Sequence, residues 1–310
     1  MKKTFTMIVA LLCVVLTANA QSNNISLYVY SSQQQVTIPE ASLDYMTNAL
    51  CNAVATDGLA ASNDSYTQFV LIPKVNIATK NVLATTQQQV VLTLDVSLQV
   101  IDGSNGTVFA SKTINLKGVG TNETKAYNAA FRTLNKENSS IKQLVATAKQ
   151  KIVAYYNAEA DNIVKKARLS AAQERYDEAF YLLSMIPSQC DKFDEAISAG
   201  LDVWGKYKTY SCSKNIAKAR SVWYANQSVA AANEAGYYLA QILQDADCYG
   251  DAQSLYKEIK AKVGDFWTFT MHTYENEHDL DMAKIKAIQE IGSAYGKGQQ
   301  PKVVLNKSIF

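Results

Sequence analysis

The stretch Val90-Val91-Leu92-Thr93-Leu94-Asp95-Val96-Ser97-Leu98-Gln99-Val100-Ile101-Asp102-Gly103-Ser104-Asn105-Gly106-Thr107-Val108 decides the fold class. Val90, Leu92, Leu94, Val96, Leu98 and Val100 alternate with Thr93, Asp95, Ser97 and Gln99. A period of two sends one set to each face of a sheet. Asp102 to Gly106 supplies turn residues, and Val108, Ala110, Ile114 and Leu116 resume the alternation. This predicts a long β-hairpin with one buried face. Upstream, Phe69, Leu71, Val75 and Ile77 share one parity, so the period of two spans 66–119. Gly118 and Gly120 read as a turn that ends the hairpin.

Outward from the hairpin the period changes. Ile25, Leu27 and Val29 alternate with Ser26, Tyr28 and Tyr30, which predicts a first strand within 24–36. Pro39 and Glu40 open a helix carrying Met46, Ala49, Leu50, Ala53 and Val54, and Asp57-Gly58 stops it. Asn122 is placed to cap a helix with Ala126, Ala129, Ala130 and Leu134. After Glu137-Asn138-Ser139, an apolar stripe runs from Ile141 through Leu144, Val145, Ala148, Ile152, Tyr155 and Tyr156. Residues 24–157 therefore read β-α-β-β-β-α-α, an α+β domain with a mixed sheet packed against helices. From 158 to 296 the pattern is helical throughout, an all-α repeat region. A tail of 297–310 follows, with one strand signal at Val303 to Leu305.

The helical region repeats internally. Glu178-Ala179, Tyr181, Leu183 and Ile186 recur as Glu234-Ala235, Tyr237, Leu239 and Ile242, and Ala196 recurs as Ala252, all at an offset of 56. Tyr176-Asp177-Glu178-Ala179 resembles the tyrosine-x-x-alanine signature of tetratricopeptide-type hairpins. Those repeats are about 34 residues long, so the likeness is to a divergent tetratricopeptide-like or α-solenoid unit, whose peptide groove does not carry over. The first domain is similar to the periplasmic domain shared by the curli-secretion protein CsgG, the penicillin-binding-protein activator LpoB and the amino-terminal part of TolB. The residues that carry this likeness are Asp95 to Asp102, Gly106-Thr107-Val108-Phe109-Ala110-Ser111, Gly118-Val119-Gly120 and Ala126 to Ala130. The chain lacks the lipidated cysteine of CsgG and LpoB and the membrane-spanning hairpins of CsgG. The resemblance implies an adaptor domain in the periplasm or at the outer membrane.

The chain of 310 residues is 48% hydrophobic and 19% charged, with a net charge of +2. Both surplus charges lie in the first twenty residues. Lys2 and Lys3, the apolar run Ile8 to Leu16 and Ala18-Asn19-Ala20 read as a signal peptide cut between Ala20 and Gln21. The run is too short for a bilayer span of about 20 residues, and no later stretch is longer. Leu12 precedes Cys13 where lipoprotein signals place a small residue, so cleavage at Ala20 is the preferred reading. The mature chain is then neutral, about 290 residues long, and exported to the periplasm or outer membrane of a Gram-negative-type cell. A neutral surface excludes a broad nucleic-acid face.

No motif supplies chemistry. There is no phosphate loop, nucleophile elbow, H-E-x-x-H or C-x-x-C. His272, Glu275 and Asp279 share a helical face, yet a solvated face explains them as well, and no metal, cofactor or catalytic residue is assigned. Asp245-Ala246-Asp247-Cys248-Tyr249-Gly250 faintly resembles a calcium loop, with Tyr256 where the bidentate acid belongs. Four cysteines remain in the mature chain. Cys51 reads as a buried thiol inside a helix. Cys190 and Cys212 bracket a helix of about 18 residues, too long for a bridge. Two antiparallel segments, 213–226 and 229–244, bring Cys248 back towards Cys212, so these two form the candidate disulfide. The alternative is three unrelated thiols. Phe266, Trp267 and Phe269 form the densest aromatic cluster. They are either a partner patch or the start of a packing stripe through Met271, Tyr274, His278, Met282, Ile285 and Ile288, and packing is preferred.

The sequence thus points to an exported, non-enzymatic scaffold or adaptor with a protein partner at the cell envelope. The alternatives are a ring-forming subunit of a secretion or surface-polymer apparatus, which requires self-association, and a hydrolase with an unrecognised site in a cleft near Tyr155 to Tyr176.

Overall fold

The structure is a computed structural model that describes residues 25–30, 38–56, 59–62, 67–84, 88–271 and 277–298. The leader, the cleavage site Ala20–Gln21, Asp57-Gly58, His272 and the segment Val303 to Leu305 lie outside the described residues. The chain forms two compact units. One comprises residues up to Ala158 with Pro187–Phe193, and the other comprises Glu159–Ile186 with Asp194–Gly298.

The first unit is built on a five-stranded mixed sheet. Its elements are β1 (Ser26–Val29), α1 (Glu40–Thr56), β2 (Ala60–Ser62), β3 (Phe69–Leu83), β4 (Gln89–Asp102) and β5 (Val108–Gly120), and the strand order is β2-β1-β3-β4-β5. β1 is parallel to both β2 and β3, while β3, β4 and β5 are antiparallel. Parallel neighbours need a crossover, and α1 provides it between β1 and β2. The alternation in β4 is realised residue by residue: Leu92, Leu94, Val96, Leu98 and Val100 are fully buried. Leu94 pairs with Leu116 and Val96 with Ile114, which fixes the register of the hairpin.

Three local expectations are corrected. β2, whose Ala-Ala-Ser has no alternation to read, joins the sheet as an unforeseen edge strand. In β3, Phe69 and Leu71 are buried, but so are Val70 and Ile72, which pack with Ile101 on the opposite face. Beyond Pro73 the strand loses its cover, and Val75 and Ile77 are only half-buried. Gly118 and Gly120 are not a turn; both sit inside β5. A Cβ on Gly118 would lie 2.0 Å from the Ala126 carbonyl oxygen, and one on Gly120 would lie 2.4 Å from the Ala126 nitrogen. Glycine is required because a helix rests directly on the strand backbone.

That helix is α2 (Glu123–Phe131), capped by the Asn122 side chain, which accepts from the Lys125 N–H at 2.9 Å. It buries Ala126, Tyr127, Ala130 and Phe131 against the sheet. Asn138 caps the next helix, accepting from Ser140 N–H at 3.0 Å. This helix, α3 (Ser139–Ala172), is 34 residues long, so the boundary expected near 157 falls inside one continuous helix.

The second unit continues with α4 (Tyr176–Ser184), α5 (Phe193–Ala225), α6 (Val229–Leu239), α7 (Tyr249–Val263), a 3-10 turn (Gly264–Phe266) and α8 (Glu277–Gly298). The offset of 56 recurs in three dimensions. Tyr176, Ala179, Leu183, Ile186, Cys190, Ala196, Ala199 and Val203 are all buried, and so are Ala232, Ala235, Leu239, Ile242, Ala246, Ala252, Leu255 and Ile259. The connecting loops share their backbone bonds. Cys190 N–H donates to Pro187 O at 3.0 Å, and Ala246 N–H to Leu243 O at 3.0 Å. Phe193 N–H donates to Cys190 O, and Tyr249 N–H to Ala246 O. The paired helices are unequal, at 9 and 33 residues and then 11 and 15.

Candidate functional site

The three aromatic residues of the candidate patch separate. Trp267 is fully buried, Phe269 is half-buried, and Phe266 is 83% exposed. They are not on a helix, which corrects the expected stripe. Gly264 ends α7 with φ 59°, and the chain leaves the 3-10 turn in an irregular path through Met271. The rings of Trp267 and Phe269 meet at a tilt of 32° with 5.2 Å between centroids, and both meet Tyr256. They press on Gly236 of α6, whose missing side chain makes room: a Cβ there would lie 3.1 Å from Phe269 and 3.2 Å from Trp267. Two of the three residues are thus core. Among the described residues of this unit the exposed aromatics are Phe266, Tyr224 and Tyr237, the last being 66% exposed.

Cys212 and Cys248 form a disulfide with Cα atoms 5.9 Å apart. Cys212 lies within α5, which runs unbroken from Phe193 to Ala225, rather than between two helices. Cys248 lies directly before α7. The bridge fastens the loop 240–248 to the long helix. Lys208 reinforces it by donating to Asp245 O at 2.9 Å, and Thr209 by donating to Asp247 at 3.0 Å. The equivalent loop of the first repeat is fastened differently. There the Asn157 side chain donates to the Asp191 carboxylate at 3.0 Å and accepts from the Asp191 N–H at 2.8 Å. Cys190 is a buried free thiol, pushed up to about 11 by burial and by Asp191. Cys51 is half-exposed rather than buried, and partial burial raises its thiol as well.

One polar cluster had no signal in the sequence. Asp102 is fully buried where β4 meets its turn. The Tyr156 hydroxyl donates to Oδ2, and Ser104 donates its N–H at 2.8 Å and its hydroxyl at 2.5 Å to Oδ1. Gln68 donates to the Tyr156 oxygen at 2.6 Å and lies 3.5 Å from Oδ2. Burial and the adjacent carboxylate push the Tyr156 phenol far above its ordinary range. Phe69 and Tyr155 pack edge-on to the Tyr156 ring. A buried carboxylate satisfied on both oxygens holds α3 to the hairpin turn and is closed to substrate.

The calcium-like stretch is occupied by the protein's own cations. Lys208 and Lys284 both reach the Asp245 carboxylate at 3.1 Å. His278 lies on α8 and its side chain is outside the described residues. No group of three metal-ligating side chains occurs among the described residues. No helix of the described residues is long and apolar enough to cross a membrane.

No family model matches the chain, and no curated protein matches it. Among solved structures, a minor lipoprotein from Acinetobacter baumannii matches at 18% identity over 43% of this chain and 94% of its own, with a TM-score of 0.23. The PelC dodecamer from Paraburkholderia phytofirmans matches at 17% identity over 39% of this chain and 88% of its own, with a TM-score of 0.27. At those scores neither likeness carries an argument about this chain.

Proposed function

We propose that this chain is an exported, non-enzymatic scaffold of the cell envelope, in which an α+β unit and a disulfide-fastened helical repeat unit present surfaces to a protein partner. The observation that carries the reading is the Cys212–Cys248 bridge in a chain that begins with a leader-like segment. Disulfides persist in oxidising compartments, which accords with export. The polar cluster at Asp102 and the ion pairs at Asp245 are each used to hold elements together. Reading the α+β unit as a CsgG/LpoB/TolB-like adaptor and the helical unit as divergent tetratricopeptide-like belongs to this proposal.

The test is site-specific photo-crosslinking in intact cells, with the crosslinker placed at Tyr237 and, separately, at Phe266. The reading expects a discrete adduct with one envelope protein at one position or both. Absence of any adduct at either position, with the chain correctly exported, counts against a partner-binding scaffold.

A further inference from the structure

The helical unit carries an open groove of about 520 Å³, lined by Glu174, Tyr176, Gly205, Lys206, Thr209, Tyr210 and Ser213. Glu174 has φ 59° because it ends α3 in a capping turn, its N–H donating to Ala171 O at 3.1 Å and the Arg175 N–H to Ser170 O at 2.9 Å. One position of the groove breaks a local rule. Gly205 lies inside the 33-residue α5, and a Cβ there would meet nothing within 4 Å. Glycine lowers helix stability relative to alanine, and here no packing contact requires it. Its effect is to leave helix backbone bare on the groove. Local violations without a packing reason concentrate at functional sites.

The chemistry of the groove is specific. Its wall is aromatic and fixed: the Tyr176 ring is buried and meets Tyr210 at 5.1 Å and Tyr207 at 5.7 Å. Lys214 holds the outer side of Tyr210, with its ammonium 4.2 Å from the ring centroid and donating to the hydroxyl. Thr209 and Ser213 spend their protons on Asp247 and on the Tyr210 carbonyl, so their oxygens remain as acceptors. The side chains of Glu174 and Lys206 form no ion pair and no hydrogen bond among the described residues, and the Lys214 ammonium lies within electrostatic reach of the Glu174 carboxylate. One groove therefore offers a carboxylate, an ammonium, hydroxyl acceptors for N–H groups and an aromatic wall.

We propose that this groove binds a short peptide with both termini free, a di- or tripeptide. The peptide ammonium meets Glu174 and its carboxylate meets Lys206. Its amide N–H groups donate to Thr209 or Ser213, and small side chains lie along Tyr210. A neutral saccharide would use the hydroxyls but make no charge-assisted contact to either side chain, so it gains less from this groove than a peptide with both termini charged. The volume falls in the range of small-ligand sites rather than that of an extended polymer.

The experiment is calorimetric or NMR titration of the full, oxidised chain with trialanine, N-acetyl-trialanine, trialanine amide and cellotetraose. Trialanine is expected to bind saturably, and each blocked peptide about tenfold more weakly, the loss of one charge-assisted contact. Glu174→Gln and Lys206→Met, both at exposed positions, should each weaken trialanine about tenfold with unchanged melting. Glu174→Gln should also abolish the discrimination against the acetylated peptide. No saturable trialanine binding at 10 mM overturns the proposal. Equal binding of the blocked peptides, stronger binding of cellotetraose, or indifference to both substitutions overturns it as well.

Discussion

Gly118→Ala is the substitution that the sheet–helix contact should tolerate least. A Cβ at this position lies 2.0 Å from the Ala126 oxygen, 2.7 Å from the Ala130 nitrogen and 2.9 Å from the Ala130 Cβ. Two of these are backbone atoms of α2 and have no rotamer to change. Restoring ordinary contact at about 3.5 Å requires the helix to lift by more than about 1 Å. α2 is seated by the fully buried Ala126, Tyr127, Ala130 and Phe131, so lifting opens a gap along its whole inner face. A radial gap of that size forfeits a quarter to a half of each dispersion contact. Overpacking costs about 1–3 kcal/mol, and the backbone contacts place this case at the upper end, about 3 kcal/mol. Gly205→Ala is the matched control, because nothing lies within 4 Å of its Cβ and the helix gains propensity. It should stabilise by about 0.5–1 kcal/mol. Urea unfolding followed by circular dichroism measures both. A loss below about 0.5 kcal/mol for Gly118→Ala would mean that α2 does not rest on β5 as described, and the argument would fail.

Three further outcomes follow from the same geometry. Tyr156→Phe removes one donor from buried Asp102 and should cost about 1–3 kcal/mol in urea unfolding. The Tyr156 phenol is raised above its ordinary value near 10 in the folded chain, so its stabilising contribution is complete below that pH and is lost as pH rises. Stability of the natural chain should therefore fall above pH 10 by about 1.4 kcal/mol per pH unit from this group, and the fall should be shallower in Tyr156→Phe. Replacing Cys212 and Cys248 together by serine releases a link across a sequence separation of 36 and should lower stability by about 3–4 kcal/mol, read as a lower urea midpoint. Cys190, with its thiol held near 11 by burial, should react with iodoacetamide at pH 8 more slowly than half-exposed Cys51, as followed by peptide mass spectrometry.

What could be read in advance was whatever the chain writes locally. Val90 to Val100 alternate because one face of β4 is core, and Asn122 marks a helix start because it caps with its own side chain. Gly118 and Gly120 were misread because glycine signals a turn locally, whereas here the cause is a helix lying against the strand. The spacing of Trp267, Met271 and Tyr274 fits a helix, but the left-handed Gly264 ends the helix first. The cluster at Asp102 joins residues 34 and 54 positions apart, so no window of sequence contains it. The groove is equally non-local: Glu174 and Lys206 meet one space only because α4 folds back on α5. The offset of 56 was legible as letters, and its meaning, a shared loop geometry, was not.

The central claim is that this is an exported chain whose second repeat is fastened by a disulfide. Intact-mass and non-reducing peptide mapping of the protein recovered from the envelope fraction tests it most directly. The account predicts a chain beginning at Gln21, with a Cys212–Cys248 cross-linked peptide and free Cys51 and Cys190. A chain that retains Met1 to Ala20, with all four of those thiols reduced in the cell, would contradict it.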